Sequence, residues 1–268
     1  MKVAAIQMVS TPDVKTNLDA ARQLLKQAVD AGAELAVLPE YFCLLGFKDT
    51  DKLQIAEQPD HGPLQDFLSQ CAQKFKLWIV GGTLPLATDA PAKVYNSTLV
   101  YNPAGQCVAR YDKMHLFRYD NGTESYDESR VLVPGEEPVT FELPSIDGHT
   151  WRVGLSICYD LRFPELYRAL KSDLLLVPSA FTHTTGQAHW EVLLRARAVE
   201  NLAYVLAAAQ GGLHDNKRRT WGQSMVVDAW GRILAQQSDG PGVVLADIDK
   251  AQLAALRLQL PALHHTVL

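Results

Sequence analysis

The chain has 268 residues, of which 47% are hydrophobic and 21% charged, and its formal net charge is -5. This length and apolar content suffice for one large domain, and the acidic balance excludes the basic footprint that nucleic acids or anionic membranes require. Four widely spaced cysteines without a CxxC pair fit neither a disulfide framework nor a zinc site. No apolar run approaches the roughly 20 residues of a membrane span. We therefore expect a single cytoplasmic domain over residues 1–268, with no nucleic-acid or membrane partner.

The predicted elements alternate between buried strands and amphipathic helices. In the first half, hydrophobic patterning predicts a strand at 2–8, a helix at 18–31, a strand at 35–38, a helix at 63–75, a strand at 77–82, a hairpin of 95–101 with 107–111, and an irregular surface loop at 116–135. In the second half it predicts strands at 151–157, 174–177 and 204–209, a helix at 188–201, a basic loop at 211–219, a hairpin of 224–228 with 232–235, a strand at 243–248 and a helix at 251–259. Such a pattern favours a mixed α/β domain in which two sheets face one another and helices cover their outer sides.

Residues 153–166 contain the most informative stretch of the chain. Cys158 stands where the apolar strand 151–157 ends, Asp160 offers an N-cap oxygen, and Pro164 opens a helix. A cysteine at such a corner faces backbone N–H groups at a sheet edge, where a nucleophile can be activated and an oxyanion held. The alternative is a buried structural cysteine, which is common in apolar strands.

Three reactive groups each follow a predicted strand, namely Glu40, Lys113 and Cys158. Strand ends that point in one direction gather at one edge of a sheet, so these side chains are expected to meet. A free thiol has a pKa of about 8.5, so a neighbouring carboxylate would take its proton and a neighbouring ammonium would favour the thiolate. On that basis we expect a thiol pKa well below 8.5. Taken singly, the three residues could equally be a solvated carboxylate, a surface lysine and a core cysteine.

Together, the surrounding motifs resemble those of the nitrilase (carbon–nitrogen hydrolase) superfamily. The matching stretches are Leu38-Pro-Glu40, Tyr111-Asp-Lys-Met-His-Leu-Phe117 and Gly154-Leu-Ser-Ile-Cys-Tyr-Asp-Leu-Arg-Phe-Pro-Glu-Leu166, and the similarity extends over essentially the whole chain. The resemblance implies a four-layer αββα sandwich, a cofactor-free and metal-free enzyme, and a homodimer or higher homo-oligomer.

The same resemblance implies a cysteine amidase mechanism. Glu40 would be the general base, Cys158 the nucleophile that forms a thioester, and Lys113 with the backbone N–H of Tyr159 the oxyanion donors. Glu128 matches a second glutamate that accompanies the triad and would position Lys113 or the substrate. A solvated loop carboxylate is the alternative for Glu128.

Four further stretches, 178–182, 189–201, 204–210 and 222–228, resemble the Nit branch of this superfamily. That branch implies hydrolysis of deaminated glutathione to α-ketoglutarate and Cys-Gly, an amide with a carboxylate at each end. Arg162 would bind the acyl-side carboxylate, and Phe181 and Thr182 would line the pocket. The basic residues Lys217, Arg218 and Arg219 would meet the distal carboxylate or simply solvate their loop.

Other interpretations remain open at the level of sequence. An ω-amidase acting on small amides such as α-ketoglutaramate shares the same motifs, and a true nitrilase or an N-carbamoyl amidohydrolase is less similar. A catalytically silent binding module would normally lack one of the three triad residues, all of which are present. Scattered histidines without HxxxH or HxH spacing do not predict a metal site. Whether residues 117–135 form a lid is left open.

Overall fold

The computed structural model describes residues 1–265 and residue 267, and two large β-sheets dominate it. The strands, in chain order, are β1 (Lys2–Gln7), β2 (Leu35–Val37), β3 (Trp78–Val80), β4 (Leu84–Ala87), β5 (Val94–Tyr101), β6 (Cys107–Asp112), β7 (Arg118–Asp120), β8 (Ser125–Asp127), β9 (Thr140–Pro144), β10 (Thr150–Leu155), β11 (Leu174–Leu176), β12 (Tyr204–Ala207), β13 (Gly211–Leu213), β14 (Arg219–Trp221), β15 (Ser224–Val227), β16 (Ile233–Gln237) and β17 (Gly242–Asp247). The α-helices are α1 (Val14–Asp30), α2 (Pro63–Phe75), α3 (Pro164–Leu170), α4 (His183–Asn201) and α5 (Lys250–Gln259). Short 3-10 helices occupy Asp49–Ile55, Glu128–Arg130, Cys158–Arg162 and Ala262–His264.

Each large sheet has a parallel centre and antiparallel edges. The first has the order β17-β1-β2-β3-β5-β4, with β6 also paired to β5, and the second has the order β16-β15-β12-β11-β10-β9. Parallel pairing joins β1 to β2 and β2 to β3 in the first sheet, and β10 to β11 and β11 to β12 in the second. Since the centres are parallel, the carboxyl ends of their strands lie along one edge of each sheet.

The alternation of side chains along β1 shows how the layers stack. Val3 and Ala5 pack in a core shared with the second sheet, whereas Ala4 and Ile6 pack in a separate core with residues of α1 and α2. On the far side of the second sheet, residues of α3 and α4 such as Leu166 contribute to the first of these cores. The predicted four-layer αββα sandwich is therefore confirmed.

Two helices begin earlier than predicted because polar residues cap them. The Asp13 carboxylate accepts a hydrogen bond from Thr16 N at 2.7 Å, so α1 begins at Val14 rather than at residue 18. Asn17, just before the predicted start of this helix, lies inside α1 and donates to Cys43 O at 2.9 Å. Thr182 caps α4, which begins at His183 rather than at residue 188.

Two predicted loops contain regular structure. Residues 116–135 hold the β7–β8 hairpin and the 3-10 helix at Glu128–Arg130, and the 211–219 stretch contains β13, which pairs with β14. The expectation of irregular chain was wrong in both places, because short cross-strand pairs leave little periodic signal in sequence. Within the described residues, no helix is long and apolar enough to cross a membrane.

Candidate active site

The structure brings together three residues that the sequence places after separate strands. Glu40 follows β2, Lys113 follows β6 and Cys158 follows β10, and all three line one cavity together with Glu128. Glu40 and Lys113 are each 1% exposed, and Cys158 is 8% exposed. The first two come from one sheet and Cys158 from the other, so the cavity lies where the two sheets meet.

Lys113 is held between two carboxylates. Its Nζ lies 2.9 Å from Glu40 Oε1, 3.0 Å from Glu128 Oε1 and 2.8 Å from Glu128 Oε2. Burial acts to lower the pKa of Lys113, but the negative charges of Glu128 and Glu40 outweigh it and raise that pKa well above its ordinary value. The lysine is therefore a fixed cation.

The carboxylate of Glu40 is oriented from both sheets. Its Oε1 accepts a hydrogen bond from Asn96 Nδ2 at 2.9 Å in addition to the one from Lys113. Its Oε2 accepts from the backbone N–H of Ala180 at 2.8 Å, just beyond β11 of the second sheet. These contacts fix the carboxylate in the same cavity as the Cys158 thiol.

Glu128 is an internal partner of Lys113 rather than a solvated loop carboxylate. Besides the lysine, it accepts hydrogen bonds from Tyr41 Oη at 2.8 Å and from Phe117 N at 2.7 Å. Desolvation opposes ionisation of Glu128, but the charge and hydrogen bonds of Lys113 outweigh it and lower the pKa of this carboxyl. The 3-10 helix at Glu128–Arg130 thus places an anion behind the lysine.

Cys158 sits on a tight turn with an unusual backbone conformation. Its φ of 50° lies in the left-handed region, which costs energy for a residue with a Cβ, and its N–H donates to Pro178 O at 2.9 Å. The N–H of Asp160 is taken by Ile157 O, whereas no acceptor in the described part of the chain takes the N–H of Tyr159. This leaves one backbone donor available beside the sulfur.

Asp160 anchors the turn and is not the N-cap of α3. The turn is a 3-10 helix, α3 begins at Pro164, and the residue before it is Phe163, so the predicted capping role was wrong. Asp160 is fully buried and accepts hydrogen bonds from Ile157 N at 2.8 Å, Tyr111 Oη at 2.6 Å and His115 N at 3.0 Å. It therefore ties the Cys158 turn to the segment that carries Lys113, a positioning role that its location two residues after Cys158 could have suggested.

The electrostatics of the thiol differ from the expectation. Burial and the neighbouring Glu40 carboxylate raise the pKa of Cys158 well above its ordinary value, while Lys113 acts in the opposite direction. The expected low pKa was wrong because the thiol is buried and because the lysine charge is already matched by two carboxylates, so a thiolate would add a further buried negative charge. These surroundings favour the protonated thiol over the thiolate.

The remaining predicted residues divide between the cavity and its surroundings. Tyr159, Phe181 and Thr182 line the cavity, as do Arg218 and Arg219, but Lys217 and Arg162 are not among its lining residues. The guanidinium of Arg162 lies 5.5 Å from the ring centroid of Phe181 and 5.7 Å from that of Tyr159, and its NH1 lies 3.3 Å from His189 Nδ1. Arg162 thus packs behind the cavity wall. The predicted contact of Arg162 with a substrate carboxylate depends on the direction of its side chain, and its spacing of four residues from Cys158 does not determine that direction.

Comparison with known proteins identifies the family to which this chain belongs. The profile of the carbon-nitrogen hydrolase family matches residues 2–258. The chain belongs to this family. It is accordingly a hydrolase that acts on carbon–nitrogen bonds other than peptide bonds.

Sequence relatives place this carbon–nitrogen hydrolase near one named activity. It is 42% identical over 270 residues to a deaminated glutathione amidase of Synechocystis, covering 98% of this chain and 97% of that protein. It is also 42% identical to the deaminated glutathione amidase of Homo sapiens, covering 98% of this chain and 81% of the human protein.

Solved structures agree on the fold of this carbon–nitrogen hydrolase. The NitFhit protein of Caenorhabditis elegans superposes with a TM-score of 0.87 and 37% identity, covering 99% of this chain and 65% of that one. Nit3 of Saccharomyces cerevisiae, a member of branch 10 of the nitrilase superfamily, superposes with a TM-score of 0.85 and 31% identity, covering 97% and 94% of the two chains. The resemblance to the Nit branch is confirmed.

Proposed function

We propose that this carbon–nitrogen hydrolase cleaves the amide of deaminated glutathione and releases α-ketoglutarate and Cys-Gly. The observation that carries the proposal is the cluster of Glu40, Lys113 and Glu128 facing Cys158 in one cavity. The two relatives that share 42% of the sequence and carry this activity in their names support the choice of substrate.

In the first half of the reaction, the thiol must lose its proton as it attacks. Because Cys158 rests as a thiol, Glu40 takes that proton as the sulfur bonds to the amide carbonyl carbon. The negative charge then moves to the carbonyl oxygen, where the Lys113 ammonium and the N–H of Tyr159 stabilise it. Removing one such donor typically raises the barrier by about 3–4 kcal/mol.

In the second half of the reaction, Glu40 first acts as a general acid and then again as a general base. It donates its proton to the amine of Cys-Gly as the carbon–nitrogen bond breaks, which leaves the acyl group as a thioester on Cys158. Glu40 next takes a proton from a water molecule that attacks the thioester. When this second tetrahedral species collapses, Glu40 returns that proton to the departing sulfur, which releases α-ketoglutarate and restores the Cys158 thiol and the Glu40 carboxylate. Throughout, Glu128 keeps Lys113 charged and in position.

The lining of the cavity suits such a substrate. Phe181, Thr182 and Tyr159 would contact the acyl chain, and the arginines at positions 218 and 219 give its rim a basic character. Arg218 is engaged with Asp49 at 2.8 Å, so Arg219 is the more available of the two for the distal carboxylate.

The test is release of α-ketoglutarate from deaminated glutathione, with Cys158→Ala as the blank and α-ketoglutaramate assayed at equal concentration. Faster turnover of deaminated glutathione together with a dead variant supports the proposal. Turnover of α-ketoglutaramate alone would identify an ω-amidase, and turnover of neither would overturn the substrate assignment. If intact-mass measurements detect no acylation of Cys158 by any amide, the chain would be a catalytically silent module.

Assembly and location are proposed on separate grounds. Family resemblance supports a homo-oligomer, and so do the exposed apolar residues Val192 and Val199 on α4 and Trp230 next to them. Four free cysteines in the described residues suit the reducing cytoplasm. Light scattering coupled to size-exclusion chromatography measures the oligomeric state, and a monomer at micromolar concentration would contradict the homo-oligomer. Cell fractionation tests the cytoplasmic location.

A further inference from the structure

Within the part of the chain that the structure describes, two cations of the cavity have no carboxylate partner. Four acidic and four basic side chains line it, namely Glu40, Asp49, Asp127, Glu128, Lys52, Lys113, Arg218 and Arg219. Among the described residues, Lys113 pairs with Glu40 and Glu128, and Arg218 pairs with Asp49, whereas Lys52 and Arg219 form no salt bridge.

Lys52 lies on an element that no sequence signal indicated. It is in the middle of the 3-10 helix Asp49–Ile55, and its ammonium lies 4.7 Å from the ring centroid of Tyr41. The hydroxyl of the same tyrosine donates to Glu128, so Lys52 is placed beside the Lys113 cluster rather than at the protein surface. The aromatic face partly compensates the ammonium for its lost hydration, but the ammonium still has N–H donors free to bind an anion.

The surroundings of Lys52 favour the arrival of an anion. The residue is partly buried, and this burial lowers the pKa of its ammonium despite the nearby charges of Glu128 and Asp49. A cation removed from water without a hydrogen-bonded anion is destabilised, and a bound carboxylate would relieve that penalty.

We propose that Lys52 binds the carboxylate at the acyl end of the substrate, the end that remains attached to Cys158 in the thioester. This inference rests on the proposed function and deepens it. Lys52 is the partly buried cation and Arg219 the exposed one, so the acyl end would lie inside the cavity and the bulkier Cys-Gly part would extend toward the mouth. The assignment replaces Arg162, which packs outside the lining of the cavity.

The experiment compares Lys52→Met with wild type on three amides that carry both, one or neither of the two substrate carboxylates. Deaminated glutathione carries both, α-ketoglutaramate carries only the acyl-end carboxylate, and pentanamide carries none. Loss of a hydrogen bond between charged groups should lower kcat/KM by about 10- to 100-fold for the first two amides and leave pentanamide unchanged. Lys52→Arg should recover part of the loss. Lys26→Met, at an exposed lysine that pairs with Asp30 on α1, is the matched control.

A binding measurement separates this inference from the proposed function. Calorimetry with α-ketoglutarate and with pentanoate, on the Cys158→Ala protein with and without Lys52→Met, does not require turnover. Weaker binding of α-ketoglutarate by about 10-fold or more, with pentanoate unaffected, supports the role of Lys52 even if deaminated glutathione is not the substrate. In calorimetry, the role of Lys52 would be overturned by an unchanged affinity for α-ketoglutarate or by the absence of α-ketoglutarate binding to the Cys158→Ala protein. In the kinetic comparison, it would be overturned by equal losses of kcat/KM on all three amides or by a loss confined to deaminated glutathione.

Discussion

The ammonium of Lys113 contacts both oxygens of Glu128, at 3.0 and 2.8 Å. With Glu40 as its second partner, this lysine belongs to a buried cluster of two anions and one cation. A cluster with a surplus negative charge disfavours the thiolate of Cys158, because any further anion beside it is unfavourable.

Removing Lys113 should therefore cost both activity and stability. Lys113→Met leaves two buried carboxylates without their cation, and breaking a buried pair typically costs about 3–5 kcal/mol of unfolding free energy. Urea unfolding at neutral pH measures the loss. The double variant Lys113→Met with Glu128→Gln should regain part of the stability while staying inactive. A single variant as stable as wild type would show that the cluster is not electrostatically coupled.

Glu40→Gln should make the Cys158 thiol more acidic while it abolishes turnover. Burial and the Glu40 carboxylate both raise the pKa of the thiol above its ordinary value, so neutralising Glu40 should move the inflection of the alkylation rate against pH downward. Iodoacetamide labelling followed by mass spectrometry of the Cys158 peptide reads this residue separately from exposed Cys107. An inflection that stays in place or rises would contradict the cause we assign to the shift.

Glu128 should make stability dependent on pH in the acid range. Its pKa is lower in the folded chain than the ordinary 4.5, so the unfolded chain binds a proton first as the pH falls. The contribution of Glu128 is thus complete above about pH 4.5 and is lost as the pH falls through the lowered folded value. The difference in unfolding free energy between wild type and Glu128→Gln should shrink below pH 4.5, and a constant difference would refute this linkage.

Asp160→Asn should slow catalysis through misplacement of the turn rather than through chemistry. The amide keeps one acceptor oxygen but brings an NH2 group toward Ile157 N, Tyr111 or His115, and each buried group left unpaired costs about 1–3 kcal/mol. We expect kcat to fall with little change in KM, together with reduced stability. Asp173→Asn, at a buried carboxylate that binds Lys250 and Arg257 away from the cavity, is the control and should lower stability alone.

Sequence predicted those features that follow from strand ends and from local motifs. The convergence of Glu40, Lys113 and Cys158 was predictable because each follows a strand that its run of apolar residues identifies. The layered fold was predictable because buried strands alternate with amphipathic helices. Lys52 was missed because a 3-10 helix has no recurrent apolar spacing. The raised pKa of Cys158 was missed because it depends on the burial of the thiol and on how many carboxylates surround Lys113, and only the folded chain sets both.

The position of the cavity between the two sheets also bears on how the chain acquires activity. The Glu40 and Lys113 side chains are carried by the first sheet, the sulfur by the second, and the contact from Ala180 N to Glu40 crosses between them. Formation of one sheet by itself therefore leaves the site without its nucleophile or without its base and lysine. During refolding from urea, we expect far-ultraviolet circular dichroism to recover ahead of amide hydrolysis, and the interval between them times the docking of the two sheets.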